Sequence, residues 1–308
     1  MCKAATSTTE ERNDKTMNLD EMSTHDILQI MNQEDESVTK SVNKEIIQIE
    51  EAVSMVIDSF TKGGRLIYIG AGTSGRLGIL DAVECPPTFG TDPDKVRGLI
   101  AGGKDAIMKA VEGAEDDPQL AKTDLRDLHL TEKDMVIGLA ASGQTPYVIG
   151  GLEYSSKIGA RTASISCNKN ALCSRYADTP IEIEVGPEIL TGSTRLKAGT
   201  AQKLAVNMIS TSAMIGIGKV YKNLMVDVQL TNQKLIERAK NIISLAAEVE
   251  YDTASAYLEK SHQNPKAAII MIKGQCSYEQ AKHYLEQADG FVRESIKIAT
   301  DKDGETFG

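Results

Sequence analysis

Two short stretches carry residue types that do chemistry at a telling spacing. The first is Gly70-Ala71-Gly72-Thr73-Ser74-Gly75-Arg76; one helical length later comes Glu84-Cys85-Pro86-Pro87-Thr88-Phe89-Gly90. Arg65 to Ile69 is a short apolar run that reads as a buried strand, and Gly75 to Val83 reads as a helix. A strand that feeds a Gly/Ser/Thr loop opening a helix builds an anion cradle, because free backbone N–H groups and the positive helix end converge there. Arg76 adds a guanidinium fork suited to phosphate. Glu84 is expected to end the helix, since Pro86 and Pro87 cannot continue it. A phosphate cradle and a carboxylate at opposite ends of one helix point to chemistry on a phosphorylated small molecule.

Gly70-x-Gly72-x-x-Gly75 also matches the dinucleotide fingerprint, but that motif needs an acidic residue closing a second strand about 20 residues on. Here the next strand-like piece, Gly98 to Ala101, ends in Gly102-Gly103, so a nicotinamide or flavin site is not supported. Two further loops repeat the cradle chemistry. Ser142-Gly143-Gln144-Thr145 follows the apolar run Met135 to Ala140, and Thr191-Gly192-Ser193-Thr194-Arg195-Leu196-Lys197 precedes a long helix. The candidate phosphate and substrate ligands are therefore Thr73, Ser74, Gly75, Arg76, Ser142, Gly143, Gln144, Thr145, Ser193, Thr194 and Lys197. Helix capping alone also explains hydroxyls at such positions.

Glu84 shares a helical stripe with Leu77 and Leu80, so a carboxylate continues an apolar face in what reads as the last turn. Desolvation and the negative helix end would both favour its neutral form. Glu115, in Glu115-Asp116-Asp117-Pro118, sits in an acidic run before a helix start, which helix electrostatics alone explains.

The elements that must position these residues alternate. Residues 1–40 read as a polar arm leading into a short helix over Asp20 to Asn32, and Ser41 to Thr61 as an amphipathic helix. Strands at 65–69, 98–101, 135–140, 162–167 and 180–185 are separated by helices that include Asp105 to Glu112 and Pro146 to Ile158. Strands apolar on both faces, alternating with helices, imply an α/β fold with a doubly wound, mainly parallel sheet. Its loops then lie at the carboxyl edge, where such sheets bind ligands. Leu196 to Val220 reads as a long helix apolar nearly all round, which implies burial between layers or at a subunit contact. Strands are expected to stop near 226, and helices at 235–249, 253–259, 265–272 and 278–296 form a C-terminal module. The expected domains are thus an arm over 1–40, a sugar-phosphate-binding catalytic domain over 41–225 and a helical module over 226–308.

Composition narrows the classes. With 34 Lys+Arg against 44 Asp+Glu, the formal net charge of -10 disfavours nucleic-acid or anionic-membrane binding. Cys2, Cys85, Cys167, Cys173 and Cys276 are odd in number and contain no C-x-x-C pair, and His25, His129, His262 and His283 are far apart. Neither a disulfide framework nor a metal site follows. The first thirty residues lack a secretory pattern and no apolar run reaches membrane length, so a soluble protein of a reduced compartment is expected.

The chain resembles the N-acetylmuramic acid 6-phosphate etherase family, within the sugar isomerase (SIS) domain group, over nearly its whole length. The resemblance rests on Thr9 to Asn13, Ile30 to Asp35, Gly70 to Gly78, Glu84 to Gly90, Glu112 to Asp116, Ala141 to Tyr147 and Gly186 to Thr200. It implies a cytoplasmic carbon–oxygen lyase of cell-wall recycling that works as a homodimer without metal or organic cofactor. Its two catalytic glutamates map onto Glu84 and Glu115. The environments read above then make Glu84 the proton donor and Glu115 the base. Two other classes remain open on the same domain: a non-catalytic phosphosugar sensor and an aldose–ketose isomerase. Retention of both glutamates and the lack of a basic helix-turn-helix segment favour the lyase.

Overall fold

The computed structural model describes residues 7–230 and 232–301; Cys2 and the first six residues of the expected arm lie outside them. The elements in chain order are α1 (Thr24–Asn43), α2 (Ile46–Thr61), β1 (Leu66–Gly70), α3 (Gly72–Phe89), β2 (Val96–Ile100) and α4 (Asp105–Met108). They continue with α5 (Pro118–Asp127), β3 (Met135–Leu139), α6 (Pro146–Ile158), β4 (Arg161–Ser166), β5 (Thr179–Glu182) and α7 (Lys197–Gly216). Last come β6 (Val220–Tyr221), β7 (Leu224–Met225), α8 (Gln233–Ala247), α9 (Tyr251–Lys260), α10 (Pro265–Lys273), α11 (Tyr278–Gln287) and α12 (Val292–Asp301). Two compact units emerge, one of Met1–Val83 and Pro93–Thr211, the other of Glu84–Asp92 and Ser212–Gly308. The division falls inside α3 and α7, whereas sequence alone suggested boundaries at 40 and 225.

The first unit holds a five-stranded parallel sheet in the order β2-β1-β3-β4-β5. β1 and β3 are buried at every residue, as their unbroken apolar sequences require. Ile67 and Ile69 of β1 meet Leu125 of α5 and Tyr147, Val148 and Leu152 of α6 on one face. Tyr68 points the other way, toward α3. There Gly78 lets the backbone approach so closely that a Cβ would lie 2.7 Å from Tyr68 Cβ. The Tyr68 hydroxyl donates to Asp81 at 2.9 Å, and Asn207 and Ser210 of α7 donate to the same carboxylate at 2.8 and 2.9 Å. Burial pushes the Asp81 carboxyl up, outweighing those three hydrogen bonds. The parallel, doubly wound fold read from the sequence is thus the one observed.

Several helix boundaries differ from expectation. α3 runs through Pro86 and Pro87 to Phe89. Proline φ is itself helical, so the two residues forfeit hydrogen bonds without leaving the helix. The helix closes where Gly90 donates to the Pro86 carbonyl at 2.9 Å. Gly90 has φ +62°, and a Cβ there would stand 1.9 Å from the Asp227 carbonyl oxygen, so only glycine fits. The helix expected at Asp20 to Asn32 is instead the twenty-residue α1, starting at a Ser23 cap. The helix expected over Asp105 to Glu112 stops at Met108, and the single helix expected over Tyr278 to Ile296 is two. The second break lies at Asp289-Gly290, both with positive φ.

The second unit is helical apart from the β6–β7 hairpin, and packs Val226, Ile243, Leu258, Ile269, Ile270 and Val292 into its own core. Asp227 receives both Lys219 at 2.7 Å and the buried Lys266 at 2.9 Å.

The amino-terminal segment is tied across the first unit. Thr8 donates to Asn168 Oδ1 at 2.8 Å and Thr16 to the Ile189 carbonyl at 2.8 Å. Glu34 of α1 joins Lys15, at 2.7 Å, to the buried Lys197, also at 2.7 Å. Burial alone would raise the Glu34 carboxyl, but the two ammonium groups and Asn13 together bring it down from 4.5 to about 2. A carboxylate that takes its proton only near pH 2 when folded, against 4.5 when unfolded, contributes stability fully above the unfolded value; that contribution is lost as pH falls toward 2. Glu34→Gln is therefore expected to cost about 3 kcal/mol at pH 7, because Lys197 is left buried without its counter-charge. Urea unfolding at pH 7 and pH 4 should show a smaller acid dependence in the variant than in the parent chain.

Candidate active site at the carboxyl edge of the sheet

The carboxyl ends of β1 and β3 lie side by side, with β2 beyond one and β4 beyond the other. This is the point where connections diverge to opposite sides of a doubly wound sheet, the usual place for a ligand crevice. The first loop turns there with almost no space to spare. Gly70 and Gly75 pack backbone to backbone, and a Cβ on Gly75 would stand 2.6 Å from Ile100. Gly72 faces open space instead, with φ +51°. Helix α3 begins at Gly72, so Thr73 and Ser74 stand in its first turn rather than in a preceding loop.

The open space at Gly72 is a cleft of about 320 Å³ walled by Ala71, Arg76, Ala101, Lys109 and Glu115, among others. Glu115 is exposed within a single 3₁₀ turn, Ala114–Asp116, set by Gly113 at φ +76°. Asp117 caps the following helix α5 by accepting from the Gln119 N–H at 2.8 Å. The fold thus brings the first loop and Glu115 to one cleft although about forty residues separate them.

Arg76 is committed inside that wall. Its Nε donates to the Ile107 carbonyl at 2.9 Å, and its Nη2 to those of Ala106 at 2.8 Å and Lys109 at 3.4 Å. Ala106 and Ile107 lie in the last turn of α4, where carbonyls have no helical partner, and Arg76 satisfies them. Ser74 is buried and donates to Gln202 Oε1 of α7 at 2.7 Å. Thr73 reaches the start of the same helix, where a Cβ on Gly199 would lie 3.6 Å from its methyl.

Ser142 and Gln144 line a different cavity, of about 490 Å³, with Thr8, Asn168, Lys169 and Arg175. Ser142 Oγ accepts from the Gln144 N–H at 3.2 Å, and Gly143 at φ +73° sits against Ala171. Thr145 precedes α6 without a side-chain capping bond. At the third loop, Glu188 accepts from the N–H groups of Lys197 and Ala198 at 3.0 and 2.9 Å. The anion position at the start of α7 is therefore filled by the chain's own carboxylate. Burial pushes the Glu188 carboxyl up, outweighing those two bonds and the Lys197 charge. Ser193 and Thr194 stay partly exposed beside it, whereas Lys197 is bound to Glu34.

Both reasons for a neutral Glu84 are removed by the structure. Glu84 is exposed, Leu80 before it is 52% exposed, and the helix continues for five residues past it. The apolar stripe is therefore not a buried one, and Glu84 is not in the last turn. Glu84 and Glu115 belong to different units of the chain. Sequence reasoning did not find Glu34, Glu188 or Gln202, whose partners lie 163, 9 and 128 residues away. Only the short Glu188 spacing could have been read as a cap. Among the described residues no three His, Cys, Asp or Glu side chains converge as metal ligands, and no helix is long and apolar enough to cross a membrane.

Comparison with known proteins places this architecture. The SIS domain model matches residues 117–212, and the model of the glucokinase regulatory protein N-terminal SIS domain matches residues 48–156. An N-acetylmuramic acid 6-phosphate etherase of a Geobacillus species is 63% identical over 290 residues, covering 94% of this chain and 98% of the relative. The enzyme of that name from Bacillus cereus is 64% identical over 288 residues, with the same two coverages. The chain belongs to the N-acetylmuramic acid 6-phosphate etherase family. A match over 94% of the chain extends beyond the sheet-bearing unit into the helical one.

Arg76→Ala is expected to leave the sheet intact while freeing the segment from Asp105 to Gly113, since three carbonyls lose their donor. Hydrogen exchange followed by mass spectrometry should show protection lost there and retained in β1 and β3. Unchanged protection over 105–113 would mean that the guanidinium does not hold the wall.

Proposed function

We infer that the protein cleaves the D-lactyl ether of N-acetylmuramic acid 6-phosphate, giving N-acetylglucosamine 6-phosphate and (R)-lactate in amino-sugar recycling. The observation that carries this reading is the near-full-length identity with relatives bearing the etherase name. The cleft that holds Glu115 beside the glycine-rich loop supports it. An ether to a secondary carbon resists direct hydrolysis, because the alkoxide leaves poorly. In the open-chain aldehyde form the C2 proton is acidic. Its removal gives an enolate that expels the lactyl oxygen from C3, and water then adds at C3 while C2 regains a proton.

That sequence needs one group to take the C2 proton and another to protonate the leaving oxygen, each worth about 10²–10⁴ in rate. Glu115 is the base, exposed in a cleft with room for a sugar. Glu84, exposed on α3, supplies the second carboxylate as proton donor to the leaving oxygen on the strength of the family pattern. The phosphate is assigned to neutral donors next to the Glu115 cleft, the Thr73 hydroxyl and the N–H groups of the first turn of α3; Ser142 and Gln144 line a separate cavity, and Thr145, Ser193 and Thr194 are not among the residues that wall the Glu115 cleft. Ser74, Arg76 and Lys197 act one step back, through Gln202, the 105–109 carbonyls and Glu34 respectively. The enzyme works in the cytoplasm as a homodimer, for which the exposed Leu80, Val83 and Met208 offer apolar surface. Light scattering should give twice the chain mass.

Incubation with the muramic sugar phosphate should release lactate, whereas a sensor or an isomerase releases none. In heavy-oxygen water the label should enter C3 of the amino-sugar product, and in D₂O deuterium should enter C2. Heavy oxygen in the lactate hydroxyl would contradict elimination. Glu115→Gln should lose both exchange and cleavage by 10²-fold or more, about the value of one positioned proton-transfer group. Glu84→Gln should lose cleavage and keep C2 exchange; the reverse pattern would exchange the two roles.

A further inference from the structure

We propose that Lys109 is the receptor for the lactyl carboxylate, and so the residue that distinguishes the ether substrate from the product sugar phosphate. The inference rests on the etherase reading above. The substrate carries two anions, a phosphate at one end of the sugar and a carboxylate on the lactyl group at C3. The carbon next to C3 is the one whose proton Glu115 takes, so the lactyl arm must lie in or at the mouth of the Glu115 cleft. That cleft is hostile to a further carboxylate, since Glu112, Glu115 and Asp116 already line it. Its two cations are Arg76 and Lys109.

Arg76 has its Nε and Nη2 engaged on three backbone carbonyls, which fixes it as part of the wall. Lys109 is held differently at its two ends. Its backbone N–H donates to the Asp105 carbonyl at 3.1 Å and its carbonyl accepts the longest of the Arg76 bonds, at 3.4 Å, so its backbone is tied at both ends beside the cleft. Its ammonium has only a loose contact with Asp105, at 3.4 Å, with both side chains largely exposed at 69% and 76%. A pair of that kind is worth little and is readily given up for a better anion. A flexible stem on an anchored backbone, ending in a lightly bound ammonium among carboxylates, suits capture of a substrate carboxylate and release of lactate once the ether breaks.

The test compares Lys109→Ala and Lys109→Arg with the parent enzyme in two assays: lactate release from N-acetylmuramic acid 6-phosphate, and C2 hydrogen exchange of N-acetylglucosamine 6-phosphate in D₂O. The second ligand keeps the phosphate and the C2 proton but has no lactyl group. Lys109→Ala should lower kcat/KM for lactate release about ten- to a hundredfold, mainly through KM, as expected for loss of one charge-assisted contact. Exchange of the product sugar should stay within about twofold, and Lys109→Arg should recover most of the lost kcat/KM. A loss of lactate release below twofold overturns the proposal. So does an equal loss in both assays, which would make Lys109 a support of the cleft rather than a carboxylate receptor. If the parent enzyme itself releases no lactate, the etherase reading fails and this inference falls with it. That result is distinct from either failure of Lys109 alone.

Discussion

The Glu188 carboxylate, wholly buried and seated on the first two N–H groups of α7, is the constraint on which the carboxyl edge of the sheet depends. An ionisable group without solvent is tolerable only when donors surround it, and the start of a helix supplies two donors and a favourable dipole. Fixing that helix start fixes everything attached to its first turns. Lys197 reaches back to Glu34 and, through it, to the amino-terminal segment; Gln202 reaches Ser74 in the first turn of α3. One helix end thereby sets the position of the glycine-rich turn and of the strap that crosses the sheet edge.

The same logic of buried polar partners recurs deeper in the unit. Asp81 binds Tyr68 of β1 and Asn207 and Ser210 of α7, so strand and both helices share one carboxylate. Each such network costs desolvation and yields little net stability, but it tolerates only one register of the elements that make it. That rigidity matters more here than raw stability. A sugar held at its phosphate must present C2 to a carboxylate within hydrogen-bond reach, and displacement of about 1 Å is costly for such chemistry.

Functional loops of this sheet therefore divide their labour. The tight Gly70–Gly75 turn shapes the cleft wall, and Arg76 uses its charge on backbone carbonyls, capping the single turn of α4 before the chain bends through Gly113 to Glu115. Residues with the strongest phosphate-binding chemistry on paper, Arg76 and Lys197, are spent on holding the frame.

The sequence by itself determined the fold class, the order of strands and helices, the carboxyl-edge loops and the family. Those depend on local signals: apolar runs for β1 and β3, Asp117-Pro118 opening α5, Ser277 with Gln280 opening α11, and glycines where only glycine fits. Local signals also failed at identifiable places. Two prolines in α3 looked like a stop, but proline φ is helical and the helix ends only where Gly90 meets Asp227. Asp289-Gly290 looked like part of a helix until its positive φ angles split α11 from α12. What only the tertiary structure decided is which chemically able side chains are available. Arg76, Ser74 and Lys197 are occupied by partners far along the chain, Glu84 stands exposed, and Lys109 is brought to Glu115. Spacing along a sequence gives a side chain its direction on its own element, whereas its partner is set by packing between elements distant in the chain.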